Sequence, residues 1–436
     1  MTSPRILPLV LGLCLILAGS VPAARAGDAP APALDPHQAH SGFRFQDSGM
    51  DFVFGSLVLG SAGHHGCEVG EAFAAAANIQ DGDAASWQAE WMKMAARIEA
   101  RGEKALAGGH AVSAREQFLR AAYAWRLGLL AMLPDDPRLA NTAARARTLM
   151  RRAGALLDPP LEYFEIPFEG TVLPGYFRAA KREAKPSGQN AGQAPTLIMI
   201  GGAETFAEDQ YFYIAPQAFD RGWNFLTVDL PGQGLLPLEG RFFRPDMEVP
   251  FGAVVDYALS RKDVDPARLA AYGISSGGGF VPMAAVQEKR LAAVVMNNCV
   301  VDAGAGVAKM AVATATPEVA ASWSSFKRQN NQLIAWRFGV PLDNLPGLVA
   351  ANEPFLFDPA RVAMPAFIVA GEGEWKNPEI ERQNRLCLAE LANPAKDLVV
   401  TPSAEGAANH CVMENRALMS QVVFDWLERV LKHKDR

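Results

Sequence analysis

The chain has 436 residues, 50% apolar and 20% charged, with 38 glycines and 30 prolines. That balance lies near the globular average and far from the low-hydrophobicity, high-charge corner in which chains stay unfolded. A net charge of −6, with no run of five or more basic residues, excludes the electrostatic footprint of a nucleic-acid binder.

The first 26 residues have the anatomy of an export signal. Arg5 gives a short positive start, Ile6 to Ala18 is an apolar run interrupted by Pro8, and Ala24-Arg25-Ala26 is a small-x-small cleavage site. The run is shorter than the ~20 residues a membrane span needs, and Leu13 ahead of Cys14 argues against a lipid anchor. Cleavage after Ala26 is expected, giving an exported, periplasmic or extracellular product with no membrane span in its mature form. Cys67, Cys299, Cys387 and Cys411 remain, a set that allows three pairings or buried free thiols, so no bridge is assigned.

Residues 27–158 read as a helical cap region. Asp83 to Ser86 offers a start signal ahead of Trp87, Trp91, Met94, Ala95 and Ile98, which recur at helical spacing. A second helix is expected after Ser113, with Phe118, Leu119, Ala122, Trp125 and Leu129 on one stripe. Pro134 to Pro137 ends it, and a third runs from about Leu139 to Leu156. These aromatic stripes are read as core, because an amphipathic helix must bury its apolar face.

From residue 159 onward, short β-rich runs alternate with helices. Tyr163 to Phe168 and Val172 to Arg178 predict an antiparallel pair turning near Gly170, and Lys181 to Pro195 a polar surface loop. Buried strands are predicted at Thr196–Ile200, Asn224–Asp229, Leu269–Tyr272, Ala293–Met296, Ala366–Ala370 and Leu398–Thr401. Strands separated by helices in this way specify an α/β fold with a mostly parallel sheet. The stretch at about 302–359 is too long for a plain connection and holds Trp323, Phe326, Trp336 and Phe338, so it reads as an inserted lid.

Gly273-Ile274-Ser275-Ser276-Gly277 is a G-x-S-x-G motif that follows a predicted strand and precedes a predicted helix, the context such a nucleophile turn requires. Ser275 is the candidate nucleophile. Only His410 and His433 follow it, and His433 lies in a charged tail, so His410 is the candidate base. The orienting acid is expected in the loop after strand Ala366–Ala370, with Glu374 preferred and Glu372 open; Asp302, just beyond the preceding strand, is open as well. An oxyanion hole needs backbone N–H donors, here Ser276 and the glycine-rich Gly202-Ala203 turn after the strand ending at Ile200. Asp229 to Gly234 forms another turn of the same architecture, read as structural. His64-His65 and Cys67-Glu68 read as a surface turn. With no phosphate loop and no dinucleotide fingerprint, neither a metal nor a cofactor is expected.

The chain resembles the α/β-hydrolase superfamily, and within it the group of the 2,6-dihydroxypseudooxynicotine hydrolase and the fungal polyketide chain-shortening hydrolases. The resemblance rests on Gly201-Gly202-Ala203-Glu204, Asp229-Leu230-Pro231-Gly232-Gln233-Gly234, Gly273-Ile274-Ser275-Ser276-Gly277 and Asn409-His410-Cys411. It extends to Ser86-Trp87, Glu90-Trp91 and Gly109 to Arg115 in the helical region. It implies a triad of Ser275, Glu374 and His410, with Glu204 near the substrate, although that group generally has Asp where this chain has Glu374. The expectation is an exported serine hydrolase that cleaves an ester or a β-diketone-type C–C bond of a small, largely apolar substrate. The partner is that substrate, neither nucleic acid nor membrane, and the chain leaves room for a homodimer. A serine peptidase of prolyl-oligopeptidase type and a catalytically silent binding protein are the alternatives.

Overall fold

Successive side chains of a strand point to opposite faces, so a strand covered on both sides has to be apolar at every position. The computed structural model describes residues 43–181, 192–305, 317–341, 344 and 347–432. The expected export signal, most of the polar stretch at 181–195, parts of the 302–359 stretch and His433 lie outside the described residues. The strands are β1 (Leu161–Phe168), β2 (Thr171–Arg178), β3 (Ala194–Ile200), β4 (Asn224–Val228), β5 (Val264–Ile274), β6 (Ala293–Asn297), β7 (Ala366–Gly371) and β8 (Lys396–Thr401). They form a single sheet in the order β1-β2-β4-β3-β5-β6-β7-β8. β1 and β2 pair antiparallel across the Glu169-Gly170 turn, β2 runs antiparallel to β4, and the pairs from β4 to β8 are parallel.

The alternation is visible strand by strand. Leu197, Met199, Phe225, Tyr272, Val295 and Phe367 enter one apolar layer, while Ile198, Ile200, Leu226, Ala271, Val294 and Ile368 enter the other. The second layer is closed by α7 (Glu248–Ser260) and α8 (Gly277–Ala285). The first is closed by α6 (Ala207–Asp220) and by the terminal helix Arg416–Val430, and it runs without a break into the N-terminal helices. All the described residues belong to one compact unit.

Those N-terminal helices are α1 (Ser48–Phe52), α2 (Val69–Ala76), α3 (Ala84–Ala107), α4 (Ala111–Leu127) and α5 (Leu139–Ala155). Asp83 caps α3 by accepting from the Ser86 N–H at 2.8 Å, and the helix expected after Ser113 begins at Ala111. Glu99 ties three helices together, accepting from Trp125 Nε1 at 3.0 Å and from two nitrogens of Arg145 at 2.8 Å each. Arg147 of α5 reaches the sheet's carboxyl edge, where it pairs at 3.0 Å with both Glu208 of α6 and Asp229 beyond β4. Within the 302–359 insert, the short helix α9 (Pro317–Ala321) precedes α10 (Ser325–Arg337). The latter bonds the N-terminal region through Ser325 Oγ to Ala84 N and Asn330 Oδ1 to Ala131 N. None of the helices in the described residues is long and apolar enough to cross a membrane.

Cys299, just past β6, is joined by a disulfide to Cys387 in the helix Pro378–Glu390, while Cys67 and Cys411 are free and buried. The bond spans 88 residues, a segment that includes the insert, and fixes both ends of it to one place. Loop-closure entropy assigns such a cross-link about 4–5 kcal/mol. Non-reducing peptide mapping should therefore recover Cys299 linked to Cys387. Reduction should lower the unfolding midpoint by roughly 5–10 °C at this scale of stabilisation; an unchanged midpoint would remove the bond from the stability account.

Candidate active site

The chain between β5 and α8 reverses within one residue, and sterics decide which residues can stand there. Ser275 sits at the turn with φ +56°, in the left-handed region, where a side chain is held only against strain of about 1–3 kcal/mol. A Cβ on Gly273 would fall onto the carbonyl of Gly277, so the strand and helix flanking Ser275 can approach this closely only with glycine at that position. The turn is pinned by Ser275 N–H donating to the Asn297 carbonyl at 2.7 Å and by Gly278 N–H donating to the Ser275 carbonyl at 2.9 Å. The side chain of Ser275 is thereby raised from the carboxyl edge of the sheet.

His410 arrives from the segment that follows β8. Thr401 Oγ1 donates to the Ala407 carbonyl at 2.6 Å, and Tyr213 of α6 donates to the Cys411 carbonyl at 2.7 Å, so the residues around His410 are held on both sides. Nε2 of His410 lies 3.0 Å from Ser275 Oγ, and Nδ1 lies 2.5 Å from Oε1 of Glu374. An ionised carboxylate only accepts hydrogen bonds. Nδ1 then carries the proton, and Nε2 is left to accept from the Ser275 hydroxyl.

Glu374 stands on α11 (Glu372–Trp375), the single helical turn after β7, and is fully buried. Its burial is matched by partners: Asn298 Nδ2 donates to Oε1 at 2.9 Å and Cys411 N–H donates to Oε2 at 3.3 Å. The Ala408 carbonyl accepts from the backbone N–H groups of Gly373 and Glu374, which locks this turn to the histidine segment. The other two acid candidates are not brought to His410. Glu372 faces solvent and accepts from Ser403 N–H at 2.7 Å, while Asp302 accepts from Ala305 N–H at 2.7 Å. Burial raises the Cys411 thiol well above its ordinary range, so the sulfur beside His410 stays protonated.

Gly202, Ala203 and Ser276 line the same cavity as Ser275, His410 and Glu204. A Cβ on Gly202 would stand 2.6 Å from the Ser275 Cβ, which measures how closely the backbone after β3 approaches the serine. Glu204 presents its carbonyl to Arg126 of α4 at 2.7 Å, and Arg126 also pairs with Asp209. The cavity measures about 290 Å³. Its walls are mostly apolar and come from three parts of the chain: Phe52 and Leu57 from the N-terminal segment, Ile334 and Phe338 from the insert, and Phe280 and Met283 from α8. Phe52 packs on the His410 ring with centroids 6.3 Å apart.

Asn298, Tyr213 and the Phe52–Leu57 segment also belong to the site, and no motif in the sequence marks them. The pair Asn297-Asn298, polar at the end of the buried strand β6, was the available signal for the first. The His64-His65 turn is a correction. His65 is exposed and pairs with Glu116 at 2.8 Å, whereas His64 is buried and bonds the Phe212 carbonyl at 2.8 Å. The left-handed backbone at His65, φ +66°, sends the two rings apart.

No family model matches the chain. Curated relatives include the α/β hydrolase gkaG of Penicillium citrinum, 34% identical over 264 residues, covering 58% of this chain and 61% of that protein. Another is the 20-hydroxy-prefusarin hydrolase of Gibberella moniliformis, 34% identical over 242 residues, covering 53% of this chain and 56% of that one. The chain thus spans about three fifths of the length of the curated relatives it matches. Among solved structures, the 2,6-dihydroxy-pseudo-oxynicotine hydrolase superposes with a TM-score of 0.66 at 24% identity, over 86% of this chain and 95% of that one. AbyA5 superposes with a TM-score of 0.60 at 17% identity, over 88% and 97%.

Proposed function

We propose that this chain, which has the α/β-hydrolase fold, is a serine hydrolase that cleaves an acyl bond of a small, largely apolar substrate. The observation that carries the reading is the unbroken contact from Glu374 through His410 to Ser275 at the wall of an apolar cavity. Ser275 Oγ attacks the substrate carbonyl as its proton passes to His410 Nε2. The oxyanion so formed is held by the Ser276 N–H and by the Gly202-Ala203 turn. Collapse of this intermediate transfers the proton from His410 to the leaving group, an alkoxide for an ester or an enolate for a β-diketone. Water, deprotonated by His410, then releases the acid and regenerates Ser275. Glu374 holds the tautomer and stabilises the imidazolium without taking the proton. Glu204 is assigned to the substrate side of the cavity.

The N-terminal helices and the insert act in this reading as cap and lid, and the apolar walls they contribute favour small hydrophobic acyl groups. The Cys299–Cys387 disulfide supports an exported protein, since such bonds persist in oxidising compartments. A fluorophosphonate probe should label wild type stoichiometrically and spare Ser275→Ala. Parallel assays with p-nitrophenyl esters, aminoacyl anilides and 1,3-diketones then assign the bond type. A folded wild type that resists the probe would overturn the reading, and turnover confined to the anilides would make the protein a peptidase.

A further inference from the structure

We infer that Gln233 is a positioning residue that aims the backbone donors of the oxyanion hole; this rests on the hydrolase reading above. Gln233 is buried in the turn that follows β4, outside the cavity lining. Its Nε2 donates to two consecutive carbonyls of the β3–α6 loop, Gly201 at 2.8 Å and Gly202 at 3.1 Å. Its Oε1 is occupied in turn by the Leu230 N–H at 3.0 Å, which fixes which end of the amide faces the loop. Thr205 reinforces the arrangement: its hydroxyl donates to the Gly202 carbonyl at 3.0 Å, and its carbonyl accepts from Gly234 N–H at 3.1 Å.

The consequence follows from peptide geometry. In a trans peptide the N–H points opposite to the C=O of the preceding residue, and both of these peptides are trans. Two carbonyls drawn to one nitrogen behind the loop therefore turn the N–H groups of Gly202 and Ala203 to the other side. That side is the cavity, which both residues line beside Ser275. Adjacent N–H groups held in one direction make a concavity suited to a developing anion. Without Gln233 the Gly201 carbonyl loses the side-chain donor that draws it back and the Gly202 carbonyl keeps only the Thr205 hydroxyl, and a rotated peptide would present a carbonyl to the oxyanion and repel it. The turn at Asp229–Gly234 is thus part of the catalytic geometry as well as of the fold.

Gln233→Glu tests this directly, because it keeps the length and the acceptor for Leu230 while replacing the donor with an oxygen that repels both carbonyls. Since loss of one oxyanion donor lowers kcat by about 100- to 1,000-fold, misaiming both donors should lower kcat by roughly 10- to 100-fold. KM should stay within about threefold. Affinity for a boronic acid, which mimics the tetrahedral anion, should fall in parallel with kcat while affinity for the carboxylic acid product holds. Thr205→Val, the milder change, should move kcat the same way by several-fold and serves as the readout should Gln233→Glu fail to fold. A kcat within threefold of wild type in a folded variant, or a loss shared equally by product and boronic acid binding, overturns the inference. If wild type itself is unlabelled by fluorophosphonate, the hydrolase reading fails; if it is labelled and Gln233→Glu turns over normally, only the present inference does.

Discussion

Replacing Ser275 or His410 by alanine is expected to lower kcat by roughly a millionfold, the scale seen when either member of such a pair is removed, and the double variant should be no slower than the single ones. The 3.0 Å contact between Ser275 Oγ and His410 Nε2 is the reason. A serine without a base is a neutral alcohol at pH 7, and a base without the serine has no bound nucleophile to deprotonate. The two act as one unit, so their effects cannot add. What survives is the contribution of the backbone donors and of binding, worth about a thousandfold or more over water. Neither substitution asks the fold to move. Ser275→Ala removes one oxygen from a residue whose conformation is set by Gly273, Gly277 and the Asn297 carbonyl. Steady-state kinetics of the two single variants and the double variant, with near-ultraviolet circular dichroism to verify folding, decide the matter. A double variant slower than either single one by a further large factor would show that the residues act separately.

The parts of the molecule that were legible in advance are those whose physics is local. G-x-S-x-G placed Ser275 on a strand-to-helix turn because the collision that demands Gly273 involves a carbonyl only four residues away. The buried strands were legible because a strand covered on both faces must be apolar throughout, as Leu197, Ile198, Met199 and Ile200 are. The acid was harder. Glu372 and Glu374 are two residues apart on one helical turn, where they point to nearly opposite sides. Which of them faces inward is settled by Asn298 and the Cys411 N–H, groups 76 and 37 residues distant in sequence. The same holds for the Cys299–Cys387 bond, one of several pairings four cysteines allow, and for Phe52 against His410. Gln233 belonged to a motif read as structural, because nothing in Gly232-Gln233-Gly234 reveals that its amide reaches back to Gly201 and Gly202.

Glu374→Gln is expected to lower kcat by about 10,000-fold with little change in KM, by the logic of the wrong tautomer. The carboxylate takes a proton donor, His410 Nδ1–H, at 2.5 Å. Cys411 N–H donates to Oε2 while Asn298 Nδ2 and His410 Nδ1 share Oε1, so a glutamine that keeps its oxygen on the Cys411 N–H turns its NH₂ toward Nδ1, with the Asn298 amide turned over to accept from it. Nδ1 must then accept, the ring proton moves to Nε2, and the atom facing Ser275 becomes a donor that cannot take the hydroxyl proton. Glu374→Asp keeps the charge and the correct tautomer but withdraws the oxygens by about one methylene. Its loss should be smaller, on the order of 10- to 100-fold, because misplacement alone, not chemistry, is then at fault. Glu372→Gln is the control, since that side chain bonds Ser403 and does not reach His410. Its kcat should stay within about twofold of wild type. The ordering Gln far below Asp at position 374, with position 372 indifferent, is what charge and tautomer control require. Near-normal turnover in Glu374→Gln would remove Glu374 from the triad and leave His410 oriented by its neighbours alone.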